Sequence, residues 1–251
     1  MEKLKDIAER FNPITLGEMD TVKLQNRVDT KYVFNSARLP LLMEELRRDY
    51  RILEVCGTRM NRYETLYYDT PDLLLYCQHH NGKRNRFKIR TRKYVDSDTG
   101  FFEIKFKNNQ GRTIKSRVKN ETTEAGITDK SMKLLTKKTP FLAGKLVPVL
   151  GVKFVRITLV NRDFSERLTI DTGLNFSNDH TERSFPNLTI AEVKQDRCGN
   201  SDFHDLMKRH HILRSGMSKY CFGIFSLDYS VKKNNFKDKF LHINKINHEI
   251  I

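Results

Sequence analysis

The stretch FKIRTRKY, Phe87 to Tyr94, sets Lys88, Arg90 and Arg92 two residues apart. Read as a β-strand, it puts these three cations on one face and Phe87, Ile89, Thr91 and Lys93 on the other. Cations in line repel one another, so their face meets either water or something strongly anionic. Other segments repeat the pattern. In EIKFK, Glu103, Lys105 and Lys107 oppose Ile104 and Phe106, and in VDTKY, Asp29 and Lys31 oppose Val28, Thr30 and Tyr32. VRITLVNR gives Arg156 and Arg162 the same parity. RLTIDT lines up Arg167, Thr169 and Asp171 against Leu168 and Ile170, and IAEVKQ sets Glu192 and Lys194 against Ala191 and Val193. A sheet with one wet side accounts for such alternation. Two details point further: cations outnumber anions on these faces, and the opposite faces carry aromatic and β-branched residues that need burial. Helices outside a closed or nearly closed barrel would bury those residues and turn the ionic faces into a lumen. Such a lumen needs a counter-ion. Arginine forks match phosphate oxygens, lysine adds a point charge, and the few acids could share a divalent cation with a phosphate chain. A triphosphate with its metal fits that description.

The elements that must position these residues follow from periodicity and turn signals. A short N-terminal helix, broken near Asn12-Pro13, leads through a connector to the strand NRVDTKYVFN. Ser36 then caps a helix through ARLPLLMEELRRDY, with Leu39, Leu42, Met43 and Leu46 as its apolar stripe. RILEVC, RYETLYYDT, NRFKIRTRKY and GFFEIKFKNN read as strands, punctuated at Thr70-Pro71-Asp72, Asn81-Gly82 and Asp98-Thr99-Gly100. Asn120 to about Leu150 reads as mainly helical and mobile. The strands GVKFVRITLVNRD, ERLTIDTGL and LTIAEVKQ follow, then the helices NSDFHDLMKRHH and MSKYCFGIFSLD, the latter expected to be the last. The Lys- and Asn-rich end from about Tyr229 is expected to be loosely held. Sequence-adjacent hairpins with helices at the ends predict an antiparallel α+β fold.

The totals agree with a polyanion partner. The 251 residues carry a net charge of +15, with 38% hydrophobic residues, enough for a globular core. Cys56, Cys77, Cys198 and Cys221 form no CxxC pair, so neither a disulfide framework nor a zinc site is expected, and a reducing cytoplasm is the natural setting. No signal peptide is evident, and no run approaches the roughly 18 apolar residues of a membrane helix.

RVDTKYVF, YETLYYDT, HHNGKRNRFKIRTRKY, FFEIKFK, IAEVKQ and SGMSKYCFGI, in that order from about Arg27 to Asp228, resemble the VTC domain of polyphosphate polymerases. That family belongs to the triphosphate tunnel metalloenzymes, relatives of CYTH phosphatases. The resemblance implies a tunnel barrel of antiparallel strands with helices outside and at the ends. In it the γ-phosphate of ATP passes to a growing polyphosphate chain with a divalent metal, Mn²⁺ or Mg²⁺. It also divides the chain into an N-terminal helical segment (1–26), the tunnel domain (27–228) and a basic C-terminal tail (229–251). By resemblance Lys31 is the first-strand lysine, Arg90 and Arg92 are the RxR pair, and Lys105 is the lysine of an ExK strand. Arg162 and Arg167 look like a later pair of tunnel arginines. Glu192 matches the metal-binding glutamate, with Lys194 beside it, and Ser218 and Lys219 match the SK that opens a helix. A helix N-terminus offers free N–H groups to phosphate, which suits that last pair. Lys31, Arg90, Arg92, Lys105 and Lys219 are the expected catalytic set. Arg62, Lys88, Lys107, Arg162, Arg167, Lys194 and Ser218 are expected to bind substrate. The first strand departs from the family of tunnel phosphatases: it reads DTK where many have ExExK, so Asp29 is its only acid, which favours transfer over two-metal hydrolysis.

Other residues have plainer readings. His79-His80 and His210-His211 lack the spacing of a metal site, though the first pair could stand at a tunnel mouth. Tyr63, Tyr67 and Tyr68 read as strand packing, Asp69 as turn chemistry, and Lys83-Arg84-Asn85-Arg86 as a solvated turn. Three alternatives stay open: a triphosphatase of the same fold, a module that binds polyphosphate or inositol phosphate without turnover, and a nucleic-acid binder. The last lacks aromatic platforms and known motifs. Any passage of product across a membrane would need a partner protein.

Overall fold

Alternating ionic and apolar residues make two-faced strands, and two-faced strands must pack one face. The computed structural model describes residues 2–20, 28–120, 126–195, 201–228 and 230–249. Its helices are α1 (Glu2–Glu9), α2 (Leu16–Asp20), α3 (Leu39–Leu46), α4 (Leu74–His80), α5 (Asp129–Lys138), α6 (Asp202–Arg209), α7 (Lys219–Leu227) and α8 (Lys237–His248). The strands are β1 (Pro13–Ile14), β2 (Val28–Asn35), β3 (Tyr50–Leu53), β4 (Asn61–Asp69), β5 (Arg86–Tyr94), β6 (Thr99–Lys107), β7 (Thr113–Lys119), β8 (Val147–Asn161), β9 (Glu166–Ser177), β10 (Glu182–Phe185) and β11 (Leu188–Gln195). Eight of them run in the order β2-β11-β9-β8-β4-β5-β6-β7, with every neighbouring pair antiparallel. The α+β class and the antiparallel sheet are therefore as the sequence predicts. The barrel is not closed: among the described residues β2 has only β11 as a strand partner and β7 only β6.

Register puts the ionic residues on one face, because residues directly opposite in a ladder point the same way. Lys88, Lys105 and Lys115 lie in line across β5, β6 and β7, and Arg90 faces Glu103. Arg156 faces Asp171, and Thr169, Glu192 and Lys31 lie in line across β9, β11 and β2. The other face is apolar and covered. Tyr32, Phe34, Ile157, Leu159, Leu168, Ile170, Ala191 and Val193 share a core with residues of α1, α3 and α6. Ile89, Phe102 and Ile104 pack with Leu75 of α4 and Leu135 of α5.

Helix α7 lies on the ionic side. In α7 every residue from Tyr220 to Leu227 is buried, as expected of a helix that is apolar all round. It packs at one end of that face against Val33, Tyr67, Leu150, Phe176 and Ile190. Gly223 permits the approach: a Cβ there would stand 2.6 Å from Leu150 Cδ2 and 2.7 Å from Phe176 Cδ1. Gly223→Ala gains about 1 kcal/mol of helix propensity, whereas overpacking costs about 1–3 kcal/mol. Phe176 is wedged between Phe185 and Phe222, so it cannot yield and the steric cost wins. Urea unfolding should show a lower midpoint with an unchanged slope.

Several expectations need correction. Asn35, not Ser36, caps the turn before α3, accepting from Ala37 N–H at 2.9 Å. Among its described residues the segment read as mainly helical holds one α-helix, α5, and β8 already begins at Val147. The loosely held tail is in fact packed. Ile243 and Ile246 of α8 are buried, and Asn35 donates to the carbonyls of Ile246 (2.8 Å) and Glu249 (2.9 Å). Hence α7 is not the last helix. Cys198 lies outside the described residues.

Candidate active site

On the concave ionic face three carboxylates each hold two cations. Glu103 accepts from Arg90 Nε (2.8 Å) and Nη2 (2.6 Å) on one oxygen and pairs with Lys115 through the other. Asp171 takes Arg156 Nε at 2.6 Å and Nη2 at 2.7 Å, and also pairs with Lys219 at the start of α7. Glu192 pairs with Lys31 at 2.5 Å and Lys194 at 2.9 Å. Burial raises the pKa of each carboxyl, but the adjoining cations win. Arg90 and Lys115 hold Glu103, Arg156 and Lys219 hold Asp171, and Lys194 and Lys31 hold Glu192, all well below the usual carboxylate range.

Among the described residues, Arg92, Lys105 and Lys88 lie on this face with no ion pair to a carboxylate. Arg92 makes one hydrogen bond, from Nε to Thr65 Oγ1 at 3.1 Å, and burial with the charges of Arg90 and Arg156 lowers its pKa to about 10. Lys105 is held well below the usual lysine value by Arg90, by burial and by Arg92, in that order. Lys88 donates to Ser218 Oγ at 2.8 Å, while that oxygen accepts from Cys221 N–H at 3.2 Å as the N-cap of α7. β11 and β6 are five places apart in the sheet order, yet Glu192 of β11 is near enough to raise the pKa of Lys105 on β6, as a sheet curved about its ionic face allows. The floor of that face is aromatic. Tyr63 and Phe154 stack at 5.2 Å, with the guanidiniums of Arg92 and Arg156 5.5 and 5.0 Å from the Tyr63 ring and Lys219 Nζ 4.8 Å from that of Phe154.

The VTC domain family matches residues 26–228. The chain belongs to the VTC domain family. No curated protein sequence matches it. Among solved structures, a putative adenylyl cyclase from Hippeastrum, described as having a dominant triphosphatase activity, superposes with a TM-score of 0.52 at 14% identity, covering 80% of this chain and 95% of the other. The PH1819 protein of Pyrococcus horikoshii OT3 covers 79% of this chain and 96% of its own at 14% identity, with a TM-score of 0.44. That first likeness shows a shared fold.

The site brings together most of the expected residues of the VTC domain: Lys31, Lys88, Arg90, Arg92, Lys105, Glu192, Lys194, Ser218 and Lys219. Arg167 shares the face at its margin, opposite Lys194, and Lys107 extends the row of Lys105 to an exposed position. Arg62 and Arg162 are not brought there. Arg62 lies one residue out of phase with Tyr63 and binds Asp96 through its backbone N–H and Nε. Arg162 lies beyond the end of β8, where strand parity with Arg156 no longer holds; it is exposed and its N–H donates to Asp49 O.

Glu103, Asp171 and Arg156 stand in the ionic rows read from sequence but not among its expected site residues, and Lys115 carries no sequence signal of its own. Tyr67 is more than packing, since Arg90 Nη1 donates to its hydroxyl at 3.2 Å. Asp69 is buried turn chemistry: it accepts from the N–H groups of Thr70, Leu75 and Tyr76 and from Tyr220 Oη. Burial, with the charge of Lys88 next, lowers the pKa of His79 to about 3, and its ring meets the Phe87 carbonyl.

Among the described residues no group of three or more His, Cys, Asp or Glu could hold a metal ion. Glu192 offers one hard carboxylate beside phosphate-seeking cations. That donor set fits a metal shared with a phosphate chain, because Mg²⁺-like ions use one or two carboxylates with phosphates and water, and it does not fit a metal caged by protein alone.

Proposed function

We propose that this VTC domain is a polyphosphate polymerase that transfers the γ-phosphate of ATP to the end of an inorganic polyphosphate chain. The observation that carries the reading is the surplus of charge. Once three carboxylates have taken six cations, Lys88, Arg92 and Lys105 still face the lumen uncompensated, and a linear polyanion supplies what they lack.

In the reaction a terminal phosphate oxygen of the chain attacks the γ-phosphorus, the bond to the β,γ-bridging oxygen breaks, and ADP leaves. No protein nucleophile is needed; the task is alignment and charge neutralisation. Arg92 offers both terminal nitrogens to phosphate, Lys105 and Lys88 flank it, and Ser218 with Lys219 grips the transferred group at the start of α7. Glu192 would hold Mn²⁺ or Mg²⁺, whose charge offsets the non-bridging phosphate oxygens. Arg167 and Lys194 extend the cationic track, whereas Arg62 and Arg162 fall outside it. The reading places the site in the cytoplasm, where ATP is supplied; among the described residues no helix is long and apolar enough to cross a membrane. No nucleic-acid partner is invoked.

A second reading has its own support. The neighbour from Hippeastrum has a dominant triphosphatase activity, and water could replace the acceptor chain in the same lumen. Incubation with γ-labelled ATP and Mn²⁺, resolved on a polyacrylamide gel, separates the two. A ladder sensitive to exopolyphosphatase is the expected result. Release of labelled phosphate alone makes the protein a triphosphatase, and tight polyphosphate binding without turnover makes it a sensor.

A further inference from the structure

The lumen contains a carboxylate that a phosphate site would not be expected to keep. Glu103 sits between Arg90 and Lys115 with its side chain 0% exposed, on the face that collects cations. It cannot be replaced there by solvent, and its charge repels phosphate, so it must return something to the site. What it returns is orientation. Arginine has five N–H groups. Arg90 spends Nε and one Nη2 hydrogen on Glu103 and one Nη1 hydrogen on Tyr67, which leaves two in a fixed direction. Arg92 spends only Nε, on Thr65, and keeps both terminal nitrogens free to follow a moving chain. The two arginines of RxR are thus unequal by construction. Glu103 is directly opposite Arg90 in the ladder, so the pair is set by register and not by a flexible reach.

We propose that Glu103 is a positioning residue that locks the Arg90 guanidinium in one orientation at the transferring phosphate, giving up part of the lumen's affinity for polyanion to do so. The inference rests on the polymerase reading for the turnover it affects, but not for the binding it affects. A merely structural Glu103, tying edge strand β7 to the sheet through Lys115, would move stability alone.

Glu103→Gln keeps the shape and removes the charge. It should bind tripolyphosphate several-fold more tightly by calorimetry, chiefly because buried Arg90 loses its counter-charge, while polymer turnover falls about tenfold or more as Arg90 loses its fix. In an Arg90→Met background the same change should recover little of that affinity gain and cost little further turnover. Parallel loss of affinity and turnover, or full additivity with Arg90→Met, overturns the proposal. Should Glu103→Gln melt below the assay temperature, Glu103→Asp serves instead. It keeps the charge and retracts the carboxylate by one methylene, so turnover should fall with affinity unchanged, and wild-type turnover there also overturns the proposal. If the wild type forms no polymer, the polymerase reading fails, and the affinity gain and its dependence on Arg90 still test the clamp.

Discussion

Lys105→Met should lower polymer formation by about 100- to 1,000-fold, the loss typical when one preorganised charge at a reacting phosphate or oxyanion is removed. The reason is its isolation. Lys105 stands between Lys88 and Lys115 in register, beside Arg90, Arg92 and Lys107, and has no carboxylate partner, so a phosphate chain is its natural counter-ion. The neighbouring cations already hold its pKa well below the usual lysine value. A bound polyanion favours the charged amine and raises that pKa again. Below the depressed value of the empty site the amine is charged in both states, and affinity is flat with pH. Above it, binding must take up a proton, so affinity falls as pH rises. Calorimetry with tripolyphosphate at increasing pH should show this fall in the wild type and lose most of it in Lys105→Met. The methionine matches the length of the stem, so a normal melting temperature with unchanged polymer synthesis would remove Lys105 from the site.

How much of this was legible in the sequence depends on the range of the interaction. Period-two alternation is local, and FKIRTRKY, EIKFK and IAEVKQ put on the lumen face the residues their parity predicts. Partnership across strands is not local. Nothing in FFEIKFK says that Glu103 will be wholly buried between Arg90 and Lys115, since Lys115 lies on β7, whose sequence TIKSRVK is too polar to read as a strand. That strand forms because Ile114 pairs with Phe106 and Val118 packs near Leu135 of α5, contacts made only after β6 is in place. Arg162 shows the complementary failure: parity is meaningful only within a strand, and β8 stops at Asn161. The helix α8 was hidden for a compositional reason: its sequence is rich in Lys and Asn, and its few apolar residues, Phe240, Ile243 and Ile246 among them, find their partners only across the fold. Whether the sheet closes depends on β2 and β7, far apart in sequence, and no pattern within either strand decides it.

Glu192→Gln should remove metal dependence and reduce polymer formation by about 100-fold or more, on the scale of losing one charged group at a transferring phosphate. Glu192 is the carboxylate proposed to meet the metal, and its two oxygens are paired, one with Lys31 and the other with Lys194. Loading a metal therefore competes with two ion pairs and releases two lysines toward phosphate. An amide cannot take the metal at comparable strength, yet it frees the same lysines. In chelator, the variant should bind tripolyphosphate more tightly than the wild type, and adding Mn²⁺ should strengthen binding only in the wild type. Stability gives an independent reading. Lys194 and Lys31 depress the carboxyl pKa of Glu192, so its contribution is fully present above the unfolded pKa and is lost as pH falls through the folded one. At neutral pH the variant should be less stable, because Lys194 is left buried without a counter-charge, a defect of up to about 3 kcal/mol. The gap in melting temperature should close on acidification, where wild-type Glu192 is itself neutral. A gap that persists at low pH would mean that the amide disturbs packing instead of charge. Equal Mn²⁺ dependence in both proteins would move the metal away from Glu192.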